Sequence, residues 1–347
     1  MKFLLPAILA LAIFFGFVLE GSTSKTVDVI ANEKITGMSV VSGPTDVEVE
    51  QFKSINTQSA SEWVAILPYA SSRLNNPAVH YNTSRQWWGE TIEGTYSYVR
   101  KAQDAGLKVM IKPQIWVPQS WTGGLTYENP EDWEEWEKDY EQFIMDYAIV
   151  ADSMKAEMLC IGTELKLSVA ERPDFWINLI PKIKQVYNGK ITYAANWDNF
   201  ENIPFWDQLD FIGVDAYFPL SEDKKPKVKS LVKAWEGPYR SIKDISEKCG
   251  KPILFTEYGY LSVDGAAGKT WELEKNRRSR QHNQDAQAIA LEALFQKFWN
   301  EPWFGGGFAW KWHPTMSELS DRLSNDYTPQ GKKSLEVFQK WYGSSQN

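Results

Sequence analysis

The sequence predicts an α/β protein with a (β/α)8 barrel, also called a TIM barrel, in a single domain over residues 30–345. Short apolar segments of strand length alternate with longer amphipathic segments, which predicts parallel strands joined by helical crossovers. Eight strand segments occur, the number that closes a barrel, and no Pro- or Ser-rich linker divides them. The predicted strands are Ile35–Val41, Trp63–Ala70, Lys108–Val117, Met158–Leu165, Lys190–Trp197, Phe211–Phe218, Pro252–Tyr260 and Gly305–Pro314.

The segments between these strands have helical periodicity. Asn129-Pro130-Glu131 combines a capping residue, a first-turn proline and an acid, which is typical of a helix start. Cys249-Gly250 is typical of a helix end before the seventh strand. Helices are predicted near 46–60, 91–105, 130–154, 173–187, 226–249, 281–299 and 331–342, with a short one near 203–209. The longest connection, Leu261–Arg280, follows the seventh strand, and loops of such length are usually functional or mobile.

The N-terminus has the pattern of an export signal. Lys2 precedes an apolar run from Phe3 to Leu19, and a short polar stretch of small residues follows it. We therefore expect residues 1–24 to be a signal peptide or an uncleaved membrane anchor, and the protein to be secreted, periplasmic or on the cell surface. The two cysteines, Cys160 and Cys249, are not expected to form a disulfide, because Cys160 lies in an apolar strand pattern.

Charge and composition limit the class of ligand. The formal net charge is −8, which argues against nucleic acid, because phosphate binding requires clustered Lys and Arg. The 17 Trp, 15 Tyr and 17 Phe exceed what a core needs, and sugar rings pack their flat C–H faces on indole planes. The three histidines show no two-ligand spacing, so no metal or other cofactor is expected. A neutral carbohydrate bound by a monomer is the expected partner.

Two glutamates lie where a barrel places its active site. Active sites of barrels form at the carboxyl ends of the strands, and the fourth and seventh predicted strands end on Glu164 and Glu257. A single glutamate at a strand end is more often a loop cap or an ion-pair partner than a catalytic group. Together they form the carboxyl pair that glycoside hydrolysis requires, at a separation of about 5–5.5 Å for retention or about 6.5–9.5 Å for inversion.

Six motifs follow one another along the chain. They are Lys112-Pro113-Gln114-Ile115-Trp116-Val117, Ile161-Gly162-Thr163-Glu164-Leu165, Ala195-Asn196-Trp197-Asp198, Gly213-Val214-Asp215-Ala216-Tyr217-Phe218-Pro219, Phe255-Thr256-Glu257-Tyr258-Gly259-Tyr260 and Phe308-Ala309-Trp310-Lys311-Trp312. Their order and spacing resemble glycoside hydrolase family 113, a family of clan A whose known members include endo-β-mannanases. The resemblance covers nearly the whole chain beyond the N-terminal segment.

The resemblance implies a retaining hydrolase of β-linked hexose polysaccharide, favouring β-1,4-mannan. It also implies that Glu164 is the general acid/base and Glu257 the nucleophile. Many clan members carry Asn immediately before the acid/base, whereas this chain has Thr163, in which respect it resembles family 113 more than the wider clan. Asn196 is the candidate to supply that amide.

The other candidate substrate-binding residues lie at or beyond strand ends. They are Tyr217, Trp310, Trp312, Asn196, Trp116, Gln114, Lys112, His80 and Trp197. Tyr217 is expected to donate a hydrogen bond to the nucleophile and so favour its ionised form. Trp310 and Trp312, two apart on one strand, are expected to share a face, and at least one of them is expected to form the floor of the sugar subsite beside the scissile bond. Each assignment has a structural alternative. Lys112 could be a buried ion-pair partner, and Tyr217, Trp310 and Trp312 could simply fill the barrel interior.

Three other functions remain open. The same carboxyl pair would serve a β-glucan-active or an exo-acting glycosidase. A non-catalytic carbohydrate-binding barrel would also have an aromatic cleft. A metal-dependent barrel hydrolase is disfavoured, because His80, His282 and His313 lie far apart in the sequence.

Overall fold

A computed structural model describes residues 34–316 and 321–344, and it confirms the predicted barrel. Eight parallel strands close in the order β1-β8-β7-β6-β5-β4-β3-β2. They are β1 Ile35–Val40, β2 Trp63–Ile66, β3 Lys108–Ile111, β4 Met158–Thr163, β5 Lys190–Asn196, β6 Ile212–Asp215, β7 Ile253–Tyr258 and β8 Phe304–Trp312. The predicted signal segment, residues 1–24, lies outside the described residues.

Helices surround the barrel. They are α1 Val49–Ser59, α2 Ile92–Asp104, α3 Pro130–Met154, α4 Lys166–Glu171, α5 Pro173–Val186, α6 Val228–Ala234, α7 Glu236–Cys249, α8 Thr270–Lys275, α9 Gln284–Phe298, α10 Asp321–Ser324 and α11 Ser334–Gly343. The helix predicted at 226–249 is two helices that meet at Trp235, and the segment predicted at 203–209 contains only the 3-10 turn Trp206–Gln208. Within the described residues, no helix is long and apolar enough to cross a bilayer.

Two predicted strands each divide at a proline. Trp63–Ala70 ends as a barrel strand at Ile66, and Lys108–Val117 ends at Ile111, in each case two positions before a proline, Pro68 or Pro113. Proline has no N–H to donate to a sheet, so strands tend to be interrupted there. Beyond the prolines the chain forms a second, three-stranded sheet at the barrel mouth. Its strands, in spatial order, are Asn76–His80, Tyr69–Arg73 and Gln114–Trp116.

The core has two layers. Inside the barrel, Ile35, Leu67, Met110, Leu254 and Phe308 belong to one buried cluster, while a larger cluster fills the space between strands and helices. Gly37 must lack a side chain, because a Cβ there would lie 2.3 Å from the Phe308 ring. The packed interior keeps the barrel from being a pore, so any ligand binds at a mouth, on the loops.

The long connection after β7 is fixed at several points. It contains α8, and the Arg277 guanidinium donates to the Asp326 carboxylate at 2.8 Å. The Asn325 amide donates to the carbonyls of Arg277 and Arg280. At its other side, Trp271 stacks on Trp197 with ring centroids 5.6 Å apart. These contacts place the connection firmly along the carboxyl end of the barrel.

Candidate functional site

Glu257 lies at the end of β7 among three hydrogen-bond donors. Its Oε1 accepts from the Lys112 ammonium and from Gln114 Nε2, the latter at 3.0 Å. Its Oε2 accepts from the Tyr217 hydroxyl at 2.9 Å, so the hydrogen bond expected of Tyr217 is present. Only 8% of the residue is exposed, yet each oxygen has a partner. These three donors fix the orientation of the Glu257 carboxylate.

A second buried carboxylate, Asp215, lies beside this group. Lys112 Nζ lies 3.8 Å from Asp215 Oδ2, and the Thr256 hydroxyl donates to Asp215 Oδ1 at 2.8 Å. Burial raises the pKa of Asp215 well above its ordinary value, although Lys112 opposes that rise. Burial by itself would lower the pKa of Lys112, but the carboxylates of Asp215 and Glu257 raise it above its ordinary value. The Lys112 ammonium therefore stays positively charged, and it lies between the carboxyl groups of Asp215 and Glu257.

Replacing this cation is expected to destabilise the fold. Lys112→Met leaves buried carboxylates without a counter-charge, which typically costs about 3–5 kcal/mol of unfolding free energy. Urea titration of the variant measures the loss. Lys108→Met is the matched control, because Lys108 is an exposed lysine on the same strand, and its replacement is expected to change stability by less than about 0.5 kcal/mol. Equal stability of the two variants would contradict the assigned ion pair.

Glu164 follows β4 in an unusual backbone conformation. Its φ is +53°, in the left-handed region that non-glycine residues rarely adopt. The backbone is held there by a hydrogen bond from Glu164 N–H to the Ala194 carbonyl on β5, at 2.8 Å. Backbone strain of this kind concentrates at functional sites, where it directs a side chain.

The environment of Glu164 favours its protonated form. Burial, followed by the negative charge of Glu257, raises its pKa to about 7, and a hydrogen bond from Trp121 opposes the rise. Trp121 Nε1 donates to Glu164 Oε2 at 2.7 Å. One carboxyl is thus surrounded by donors and a cation, whereas the other has its pKa raised to about 7 and so keeps its proton to a much higher pH than an ordinary glutamate. Two carboxyls in such different environments can divide the tasks of base or nucleophile and of acid.

Two residues predicted to line a sugar subsite instead contact Glu257. Lys112 and Gln114 were expected to share a face with Trp116 and to bind sugar. Lys112 is completely buried and forms the ion pair described above, so its assignment to the substrate surface is wrong and the ion-pair alternative is correct. Gln114 donates to Glu257 and remains partly exposed.

Trp310 and Trp312 do not share a face. Trp310 is partly exposed and packs on the interior cluster and near Tyr217, whereas Trp312 is completely buried in the outer core. The reason is an irregular register with β1, where Ser39 pairs with Trp310 but the next residue, Val40, pairs with Trp312. An extra residue in one strand reverses the direction of the side chains after it. The expectation that Trp312 binds substrate is therefore wrong.

Asn196 and Trp197 lie at the end of β5, near Glu164. The Asn196 amide donates to Asp198 Oδ1 at 3.1 Å, and the other Asp198 oxygen accepts from Lys166 Nζ at 2.8 Å. Asn196 was expected to supply the amide that many clan members have at the position of Thr163. In this structure that amide is hydrogen-bonded to Asp198. Trp197 is partly buried, because Trp271 covers one of its faces.

Exposed tryptophans gather at the barrel mouth. Trp87 follows β2, Trp116 and Trp121 follow β3, and Trp271 follows β7; between 42% and 59% of each residue is exposed. Trp116 and His80 line a cleft of about 1240 Å³ beside the second sheet. Four large exposed indoles on one face are costly in water unless a ligand covers them, and they suit sugar rings.

Sequence reasoning missed Trp121 and Tyr69. Trp121 follows the third predicted strand, so its position in a loop at the carboxyl end was the available signal. Tyr69 was included in the second predicted strand, but it begins the second sheet and lines the cleft. Burial, with the nearby charge of Glu257, raises the pKa of Tyr69 above its ordinary value, so its hydroxyl stays protonated.

Comparisons with known proteins agree with this geometry. The sequence profile described as Glycoside Hydrolase Family 113 matches residues 44–332. The chain is similar in structure to a family 113 β-mannanase from Alicyclobacillus acidocaldarius in complex with ManMIm, with 26% identity and a TM-score of 0.78 over 90% of this chain and 98% of that one. No curated protein matches the sequence.

Two further structures share the fold. A family 113 β-1,4-mannanase is 24% identical, with a TM-score of 0.77 over 90% of this chain and 99% of that one. A β-glucuronidase from Faecalibacterium prausnitzii is 13% identical, with a TM-score of 0.56 over 90% of this chain and 49% of that one. Both likenesses show the barrel fold alone.

Proposed function

This chain belongs to glycoside hydrolase family 113, and from that membership we propose that it is a retaining β-mannanase. It cleaves β-1,4-linked mannan by double displacement, with Glu257 as nucleophile and Glu164 as acid/base. The observation that carries the proposal is the contrast between the two carboxyls: Glu257 accepts from Lys112, Gln114 and Tyr217, while the pKa of Glu164 is raised to about 7.

In the first step Glu257 attacks the anomeric carbon while Glu164 donates its proton to the departing glycosidic oxygen. In the second step Glu164, now ionised, takes a proton from water, which attacks the glycosyl-enzyme and releases Glu257. Trp121 N–H stabilises Glu164 in this ionised interval, because it donates to Oε2. Trp310, on the surface beside Tyr217, is the candidate floor for the sugar under attack.

The test is to incubate the purified protein with oligomers of mannan, glucomannan and cellulose and to follow the products by NMR. We expect cleavage of mannan oligomers within the chain, with the β anomer appearing first. An α anomer formed first would overturn retention. Cleavage of cellulose oligomers alone would favour a β-glucanase, release of single sugars an exo-acting enzyme, and binding without cleavage a carbohydrate-binding barrel.

The pH dependence of the reaction follows from Glu164. Because the first step requires protonated Glu164, kcat/KM is expected to fall about tenfold per pH unit as the pH rises above ~7. Trp121→Phe removes a donor that favours the ionised form, so the pKa of Glu164 should rise and the alkaline limb should move to higher pH.

Initial rates from acid to alkaline pH, for the parent and for Trp121→Phe, measure this shift. Trp116→Phe is the control, because Trp116 is an exposed indole after the same strand and, among the described residues, it donates no hydrogen bond to Glu164. That variant should leave the pH of the alkaline limb unchanged. A limb that moves to lower pH in Trp121→Phe would show that the indole favours the protonated acid instead.

We also propose that residues 1–24 direct export. The proposal is supported by the apolar run between Phe3 and Leu19 after Lys2. N-terminal sequencing of the protein recovered outside the cytoplasm tests it. An unprocessed chain confined to the cytoplasm would overturn it.

A further inference from the structure

Glu90 lies where two cavities at the barrel mouth meet. The cleft of about 1240 Å³ and a smaller cavity of about 160 Å³ are both lined by Tyr69, Trp87 and Glu90. The smaller cavity is also lined by Trp310 and Lys311. Glu90 is thus a carboxylate within the space that opens beside the proposed sugar floor.

The Glu90 side chain lacks a side-chain partner. Across residues 34–316 and 321–344, no side chain donates a hydrogen bond to its carboxylate or pairs with it. Lys311 lines the same cavity, but its ammonium lies 3.6 Å from Asp326 Oδ2. Burial raises the pKa of Glu90, and the backbone amide of Trp87 only partly offsets this. A half-buried carboxylate with a single backbone donor has acceptor positions left open, and a ligand that brings hydroxyl donors can fill them.

The position of the cavities indicates which part of a substrate they receive. Tyr69 lines both, and its hydroxyl is near enough to Glu257 and Glu90 to feel both charges. The groups around Glu164, namely Trp121, Lys166 and Asp198, line neither cavity. The nucleophile attacks the sugar on the glycone side, whereas the acid protonates the leaving group. The cavities therefore continue the glycone side of the cleft.

The chemistry of β-1,4-linked hexoses supplies the donors that Glu90 lacks. Such a unit keeps its 2- and 3-hydroxyls free, side by side, because its 1- and 4-positions are in linkages. An ionised carboxylate has two acceptor oxygens, which match two neighbouring hydroxyl donors. Exposed Trp87 and Trp116 line the same cleft and offer faces on which the ring and the following unit can stack.

We propose that Glu90 is a specificity-determining residue that binds the 2- and 3-hydroxyls of the second sugar on the glycone side, next to the sugar attacked by Glu257. This rests on the proposed mannanase function, which it deepens. Substrates that carry at least two β-linked units on that side, with these hydroxyls unsubstituted, are then cleaved more efficiently than substrates that carry one. A chain acetylated at those positions is excluded from the cleft.

The experiment compares an aryl β-mannoside with the corresponding aryl β-mannobioside. The second sugar of the mannobioside occupies the proposed subsite, whereas the mannoside leaves it empty. Glu90→Ala is expected to lower kcat/KM for the mannobioside by roughly 10- to 100-fold, because hydrogen bonds to a charged group are lost. The mannoside should change by less than about twofold on the same argument. Glu90→Gln keeps one acceptor oxygen and should lose less.

Glu93→Ala is the matched control. Glu93 is an exposed carboxylate three residues away, at the start of α2, and it lines neither cavity. This variant should equal the parent on both substrates, and melting temperatures establish that the variants fold. An equal loss on both substrates, or no loss with the mannobioside, would overturn the role of Glu90 while leaving the mannanase function intact. A parent protein inactive on all mannosides would overturn both.

Discussion

Replacing Glu257 is expected to abolish turnover. Glu257→Ala removes the nucleophile, and loss of a covalent catalyst typically lowers kcat by roughly 10⁴-fold or more. The isosteric Glu257→Gln should lose a similar factor while it keeps the volume of the site. Steady-state hydrolysis of mannan oligomers measures the loss, and denaturant titration establishes that each variant folds.

Azide distinguishes a missing nucleophile from a merely damaged site. In Glu257→Ala the space left by the side chain admits azide, which attacks the anomeric carbon from the same face as the carboxylate. The product is then an α-glycosyl azide, detectable by NMR. A β-glycosyl azide, or residual activity within about 100-fold of the parent, would contradict the assignment of Glu257 as nucleophile.

Replacing Glu164 is expected to have the second largest effect. General acid catalysis typically contributes about 10²–10⁴-fold, so Glu164→Ala should lower kcat by that factor on mannan oligomers, whose leaving groups need a proton. A dinitrophenyl glycoside has a leaving group that needs none, so the first step should be nearly unaffected. With azide, this variant should form a β-glycosyl azide from the glycosyl-enzyme.

Glu171→Ala is the matched control for Glu164. Glu171 is an exposed carboxylate at the end of α4, seven positions further along, and it accepts a hydrogen bond from Thr126. Its replacement should leave both rates unchanged. An equal loss of the first-step rate, measured as kcat/KM, on oligomers and on the dinitrophenyl glycoside would show that Glu164 acts on something other than leaving-group protonation.

The sequence predicted the frame of the site well because that frame depends on local patterns. Alternation of strands and helices predicts the barrel, and a barrel presents the carboxyl ends of its strands at one mouth. Glu164 and Glu257 therefore fell at the ends of β4 and β7 without any knowledge of tertiary contacts. Errors of strand length arose at Pro68 and Pro113, where the apolar pattern continued but the barrel strand did not.

The direction of individual side chains was less predictable. Strict alternation placed Trp312 on the face of Trp310, but register against a neighbouring strand decides that direction, and β1 lies more than 260 positions away in the sequence. Lys112 was assigned to the substrate surface because alternation along the strand places it on the same face as Gln114 and Trp116. Its burial depends on Asp215 and Glu257, which lie on two other strands.

What the sequence alone determined is the barrel, the family and the two carboxyls at its mouth, since each follows from short segments or from motifs in order. Only the tertiary structure decided how the two carboxyls differ. Glu257 meets Lys112 across 145 positions of sequence, and Glu164 meets Trp121 across 43. The charge of a carboxyl is set by burial and by neighbouring donors and charges, and those neighbours are brought together only when the barrel closes.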